Sequence, residues 1–284
     1  AVDTQRAGDG TIKVAFGYRD AAVVEAVVMP MEGRTTLCLS SQTGCAVGCT
    51  FCVTGALGAG RNLTGSELFA QYRALVRGEG RAGQPLNVVF MGMGEPLLNP
   101  AGVTAALGLL YETVSPKRVT LSTSGIVPGL DWLAGLPRRP NLAVSLNATT
   151  QQQRASLMPA AARWDIGALL DALRAFPLER GRRITIEYVL LAGVNDTPDD
   201  AARLPRLLRG IPVKVNLIPF NADPVHLPAF EAPSEARIDA FAGVLAAANM
   251  NVTVRWSRGR EISGACGQLR GRVAGRAGGP SGVA

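Results

Sequence analysis

The sequence predicts an α/β fold: a partial (β/α)6 barrel of TIM-like type with a small N-terminal β-hairpin extension. Three observations lead there. Short runs rich in Val, Ile and Leu alternate with amphipathic stretches from residue 35 to residue 256, and alternation of this regularity means parallel βα units. The residue clusters suited to chemistry fall where those strands end, which is where (β/α) barrels collect their function. Ahead of the alternation, residues 11–29 read as two strands around the turn Tyr18-Arg19-Asp20.

In order, the strand candidates of the barrel are residues 35–41, 87–91, 118–122, 142–146, 184–190, 213–218 and 252–256. Helical patterns lie near 64–78, 101–113, 128–136, 165–175, 198–209 and 233–248. Six or seven such units give an incomplete barrel. Residues 1–30 are expected to form the β extension, 31–274 the core with a C-terminal cysteine loop, and 275–284 a disordered tail, since Gly278-Gly-Pro-Ser-Gly-Val-Ala is low in complexity. No internal repeat is visible.

An apolar fraction of 47% over 284 residues suits a globular protein with a substantial core. No run of about 18 uncharged apolar residues occurs, so no transmembrane helix is expected. The start, Ala1-Val-Asp-Thr-Gln-Arg, has no signal-peptide apolar stretch, and without an initiator Met it reads as a fragment or a processed chain. A cytoplasmic location follows, where five cysteines point to metal or catalysis before structural disulfides. The net charge of +7 favours an anionic partner such as nucleic acid. Arg255, Arg258, Arg260, Arg270, Arg272 and Arg276 crowd around Cys266, opposed by Glu261 alone, and suit either a solvated face or phosphate contact. Aromatic residues make up only 5%, so a base-stacking platform is not indicated.

Cys45, Cys49 and Cys52 stand in the run Cys-Ala-Val-Gly-Cys-Thr-Phe-Cys, a C-x3-C-x2-C triplet. One helix face would also align such positions, but Gly44, Gly48 and Gly55 favour a loop. A structural zinc site wants four ligands. Three thiolates are one short of saturating a [4Fe–4S] cluster and leave one iron open. An open iron is what binding and reductive cleavage of S-adenosylmethionine (SAM) requires, and that cleavage makes a carbon radical.

Other clusters fit a cofactor of that size. Gly92-Met93-Gly94-Glu95-Pro96 follows an apolar strand; its glycines permit close approach, and Glu95 can accept hydrogen bonds from an ammonium group. Ser122 and residues 145–147 offer hydroxyl and amide partners for a ribose or carboxylate, and Asn221 offers an amide for adenine. Each alone would serve equally as a strand-end cap. Cys266 sits between Gly264 and Gly267, which predicts an exposed loop with a reactive thiol. Cys38, on a strand, reads as core packing. His226 is the sole imidazole and reads as a loop residue, so no nucleophile–His–acid triad is available elsewhere.

The chain resembles the RlmN/Cfr family of radical SAM RNA adenine methyltransferases, from about residue 11 to residue 274. The carrying segments include Thr-Leu-Cys-Leu-Ser-Ser-Gln-Thr-Gly-Cys, Arg-Asn-Leu-Thr, Leu-Met-Pro, Glu-Tyr-Val-Leu-Leu-Ala-Gly-Val-Asn-Asp, Ile-Pro-Phe-Asn and Ala-Cys-Gly-Gln-Leu. Gly-Met-Gly-Glu-Pro-Leu-Leu-Asn and Ser-Thr-Ser-Gly look like the RlmN branch, which methylates adenine C2, more than the Cfr branch, which methylates C8. The resemblance implies a radical SAM barrel, a [4Fe–4S] cluster on Cys45, Cys49 and Cys52, and SAM contacts from Gly94, Glu95, Ser122, Ser145, Leu146, Asn147 and Asn221. It implies a methyl carrier at Cys266, a transient disulfide partner at Cys38 and a proton acceptor at Glu25. It further implies 23S rRNA and tRNA as substrates, an electron donor such as flavodoxin or ferredoxin, and a monomer.

Two departures stand out. The family's N-terminal helical accessory domain has no counterpart in these residues, which bears on RNA recognition more than on chemistry. The family commonly has His where Asn147 stands, and an amide can still donate and accept. A glycyl-radical activase shares the cysteine triplet but leaves Ala-Cys-Gly-Gln-Leu unexplained. An iron–sulfur electron carrier or a plain RNA-binding module leaves the open iron unexplained.

Overall fold

The computed structural model describes residues 1–80 and 83–271. The expected tail, 275–284, lies outside the described residues, as do Arg272 and Arg276. One ten-stranded sheet runs through the molecule, its strands neighbouring one another in sequence order.

The sheet begins as an antiparallel meander of β1 (Asp3–Arg6), β2 (Ile12–Gly17), β3 (Val23–Met31) and β4 (Arg34–Cys38). Val24, Ala26, Val27 and Val28 are almost fully buried, and β-branched residues suit such a packed pleated surface. β1 is missed by periodicity because Asp-Thr-Gln-Arg has no apolar alternation. It is an edge strand, paired to β2 with Thr4 opposite Val14.

From β4 onward every pairing is parallel: β5 (Leu86–Phe90), β6 (Val119–Thr123), β7 (Asn141–Ser145), β8 (Ile184–Leu190), β9 (Val213–Pro219) and β10 (Val252–Val254). These strands read as apolar runs because both faces are covered. The helices between them are α1 (Val53–Ala56), α2 (Gly65–Gly78), α3 (Pro100–Leu110), α4 (Val127–Ala134), α5 (Gln151–Leu157), α6 (Ile166–Ala175), α7 (Pro198–Leu207) and α8 (Glu235–Ala247). Thr64 with Glu67, and Thr197 with Asp200, form capping boxes that start α2 and α7 where the sequence pattern puts them. The expected strand 252–256 is shorter, since Trp256 turns out to solvent.

The sheet order is linear, so the barrel is incomplete, as expected. The main core fills the space between strands and helices. A second, smaller core of Val47, Phe51, Val53, Leu157, Met158 and Phe220 sits under the loop that follows β4. Burying Val47 and Phe51 contributes about 1.5–3 kcal/mol each, which holds that loop in one shape.

Candidate active site

The loop after β4 carries the cysteine triplet. Gly48 takes φ +65°, a left-handed turn that favours glycine. A Cβ on Gly60 would lie 2.2 Å from the Gly44 nitrogen, and one on Gly55 2.7 Å from the Cys49 oxygen, so the loop closes tightly on itself. With Val47 and Phe51 rooted in the smaller core, Cys45, Cys49 and Cys52 all line one pocket. The expected loop, rather than a helix face, is what forms.

Burial pushes the Cys45 thiol up to about 12 and raises Cys49 and Cys52 as well. The three thiols oppose one another's ionisation, while Arg154 eases that of Cys49. Buried thiols that resist ionisation are suited to a cationic centre, which holds them as thiolates. Among the described residues no three ligating side chains converge where a single ion would sit. Three thiols on one pocket wall would suit a [4Fe–4S] cluster with one site left open, whereas a structural zinc site takes four ligands.

Gly94, Glu95, Ser122, Ser145, Asn147 and Asn221 line the same pocket, at or beyond the C-terminal ends of β5, β6, β7 and β9. Gly94, at φ +96°, is required by packing: a Cβ there would lie 2.5 Å from Cβ of Gln42. Glu95 is buried and accepts from the Ser124 amide at 2.6 Å, the Ser124 hydroxyl at 2.8 Å and the Leu97 amide at 2.9 Å. Burial still raises its carboxyl above the usual range. Asn147 sits at φ +53°, which Asn tolerates better than most residues. Its Oδ1 accepts from the Val189 amide at 2.8 Å. Leu146 differs from the other six: its side chain is 1% exposed and absent from the pocket wall.

Cys266 lies on an exposed turn in that wall, as its flanking glycines predict. A second cavity adjoins the first and shares Met91, Ile218, Arg255 and Cys266 with it. Cys38, buried at the end of β4, lines this second cavity together with Cys266. Both are free thiols. Burial, with a smaller push from Cys266, raises Cys38 to about 12, and Arg255 opposes the rise.

Glu25 lies apart from both cavity walls. Its carboxylate meets Lys13 Nζ at 3.0 Å and accepts from the backbone amides of Arg270 at 2.6 Å and Gly271 at 3.3 Å. It therefore fastens the segment that follows Cys266. His226 is on a loop, with Nδ1 2.9 Å from Asp223.

Three features in or beside the pocket were not legible as such in the sequence. Arg154 is wholly buried and donates to the carbonyls of Ser124 at 2.6 Å and Leu146 at 3.0 Å, pinning two strand ends. Glu187, on β8, is buried, and its Oε2 lacks a hydrogen-bond partner among the described residues. Arg255, one of a row of arginines in the sequence, faces Cys266, Glu187 and Cys38. The capping box Thr150–Gln153 of α5 could have announced Arg154 as helical. Nothing local announces the other two.

The Radical SAM superfamily profile matches residues 39–204. Dual-specificity RNA methyltransferase RlmN of Anaeromyxobacter sp. (strain Fw109-5) is 52% identical over 275 residues, spanning 93% of this chain and 72% of that protein. RlmN 2 of Myxococcus xanthus (strain DK1622) is 48% identical, over 94% and 72%. The crystal structure of a radical SAM methyltransferase from Sphaerobacter thermophilus superposes with a TM-score of 0.91 at 46% identity, covering 95% of this chain and 81% of that one.

The chain belongs to the RlmN family. It is a radical SAM RNA methyltransferase, and its cofactors are a [4Fe–4S] cluster and SAM. For an RlmN-family enzyme the pocket is chemically apt: three shielded thiols on one side, hydroxyl, amide and carboxylate groups on the other, and a separate thiol on its wall.

Proposed function

We propose that the enzyme methylates C2 of an adenine in 23S rRNA, and of the adenine 3′ of the anticodon in tRNA, through a methyl-cysteine intermediate. One observation carries this reading. Cys38 and Cys266 are distant in sequence but line one cavity, and Cys266 also lines the pocket of the cysteine triplet. A lone electron carrier or a glycyl-radical activase has no use for that pair.

In this reading Cys45, Cys49 and Cys52 hold the cluster. Gly94, Glu95, Ser122, Ser145, Asn147 and Asn221 hold SAM from the facing wall, and Leu146 contributes through its backbone. When bound, the cluster and SAM supply a methyl group and a hydrogen-abstracting carbon radical. Adenine C2 is electron-poor, so an ordinary sulfonium transfer does not reach it. Cys266 Sγ takes the methyl group first. That methyl then loses one hydrogen atom, and its carbon bonds to C2.

Release needs the C2 proton and one electron to leave, the electron to the oxidised cluster that Cys45, Cys49 and Cys52 would hold, while Cys38 Sγ attacks Cys266 Sγ. The Cys266 S–C bond breaks with its electron pair left on the methylene carbon, which takes up one proton, in net terms the one the Cys38 thiol gave up, to complete the methyl group; the methylated base departs and a Cys38–Cys266 disulfide remains for reduction by two electrons. Glu25 is the proton acceptor in this scheme. Its contact with the segment after Cys266 would couple proton uptake to movement of that segment. The target base leaves its stack to reach the cavity, at a cost of about a few kcal/mol, which phosphate contacts by Arg258 and Arg260 help offset. A flavodoxin or ferredoxin donor, a monomeric state and a cytoplasmic setting complete the proposal.

The test is reconstituted, reduced enzyme acting on 23S rRNA and tRNA, with nuclease digests compared against 2-methyladenosine and 8-methyladenosine standards. The 2-methyl product is expected. The 8-methyl product would replace C2 with C8, and RNA methylation surviving in Cys266→Ala would sink the covalent scheme.

A further inference from the structure

The cavity behind Cys266 has a mouth that the scheme above leaves without a use. Trp256 is 54% exposed and Met31 43% exposed, and both line this one cavity. Met29 and Met91 extend its wall, and Arg255 and Arg258 border it. Arg258 donates to the carbonyl of Pro30, which fixes its guanidinium against the end of β3. The inner end of the same cavity reaches Cys38 and Cys266. An indole left in water beside soft thioether walls and two permanent cations is a surface made for a flat, anionic-backboned partner.

We propose that Trp256, with Met29 and Met31, is the stacking surface for an unpaired RNA base next to the target adenine, with Arg258 on the intervening phosphate. The proposal rests on the RNA methyltransferase reading and adds where the RNA is gripped. A base that leaves its stack bares the face of its neighbour, and an indole at the cavity mouth replaces the lost contact. The residues lining this cavity include Arg255 and Arg258 and no carboxylate, which complements the phosphate backbone of RNA. Low aromatic content argued against a stacking platform, but one aromatic ring at the right place is enough for one base.

The experiment compares wild-type holoenzyme with Trp256→Ala and Trp256→Phe. It reads KM and kcat for RNA methylation, and the quenching of tryptophan fluorescence by a short unpaired adenosine-containing RNA. Trp256→Ala is expected to raise the RNA KM roughly tenfold with much less change in kcat, and Trp256→Phe to restore most of it. The oligonucleotide should quench wild-type emission but not that of Trp256→Phe, where Trp132 and Trp164 remain. Matching melting temperatures establish that the variants fold. A KM for Trp256→Ala indistinguishable from wild type, or quenching that persists in Trp256→Phe, overturns the proposal. A rate loss seen only with a protein reductant, and not with dithionite, also overturns it by marking a protein-docking face. Failure of the wild type itself to bind or methylate RNA would instead overturn the methyltransferase reading.

Discussion

The side-chain amide of Asn221 donates to the backbone carbonyl of Cys266 at 3.1 Å. A residue two positions past the end of β9, which the family resemblance puts against SAM, therefore also holds the turn bearing the downstream thiol. If Asn221 contacts SAM as proposed, cofactor binding and the placement of Cys266 share one side chain.

Asn221→Ala should loosen that turn without unfolding the barrel, since a single neutral hydrogen bond contributes about 1 kcal/mol. Alkylation of Cys266, mapped by mass spectrometry, is expected to speed up while RNA methylation falls severalfold. Unaltered alkylation would mean that the hydrogen bond does not position the thiol.

Cys38→Ala should stop release, leaving RNA bonded through a methylene bridge to Cys266 and visible as a protein–RNA adduct on denaturing gels. Because burial holds the Cys38 thiol near 12, the thiolate fraction, and with it the rate of release, is expected to climb with pH above neutral. A release rate flat from neutral to mildly alkaline pH would remove Cys38 from the attacking role.

Glu187→Gln is expected to stabilise the protein at neutral pH. Burial raises the Glu187 carboxyl from 4.5, with Arg255 and Asn216 opposing only in part, and Oε2 has no hydrogen-bond partner among the described residues. A raised folded-state value means that its contribution to stability is complete below the unfolded value and fades as pH rises past the folded one. The gap in Tm between variant and wild type should therefore widen from acidic to neutral pH. A variant less stable than wild type at neutral pH would contradict this.

Arg154→Met should lower stability by about 2 kcal/mol, read from urea unfolding, because buried carbonyls lose their charged donor. Among the described residues Arg154 has no carboxylate partner, and burial lowers its guanidinium to about 10. The variant should also bind SAM more weakly, since Ser124 and Leu146 are held by that guanidinium. A Met variant as stable as wild type would show that relief of desolvation outweighs the three bonds to Ser124, Ser145 and Leu146.

Much of the architecture was legible because it depends on local pattern. Parallel strands buried on both faces announce themselves as apolar runs, and β5 to β9 lie close to where such runs fall. Thr64 and Thr197 mark helix starts by hydrogen bonds that span only three residues. β1 escaped notice because an edge strand needs no apolar face, and α5 because seven residues show too little periodicity. Trp256 was invisible as a site because composition counts rings without placing them.

The sequence alone determined the chemistry on offer. A C-x3-C-x2-C loop after the first barrel strand, glycine and acid after the second, and a lone cysteine between glycines all depend on residue type at short spacing, which the chain states directly. The tertiary structure alone decided which of those groups meet. Curling of the sheet brings the turn after β10 back over the loop after β4, so Cys266 stands in both cavities beside Cys38, Arg255 and Glu187. It also set Glu25 against the C-terminal segment rather than in the cavity wall. Such long-range meetings arise from packing of the whole core, and no local spacing encodes them.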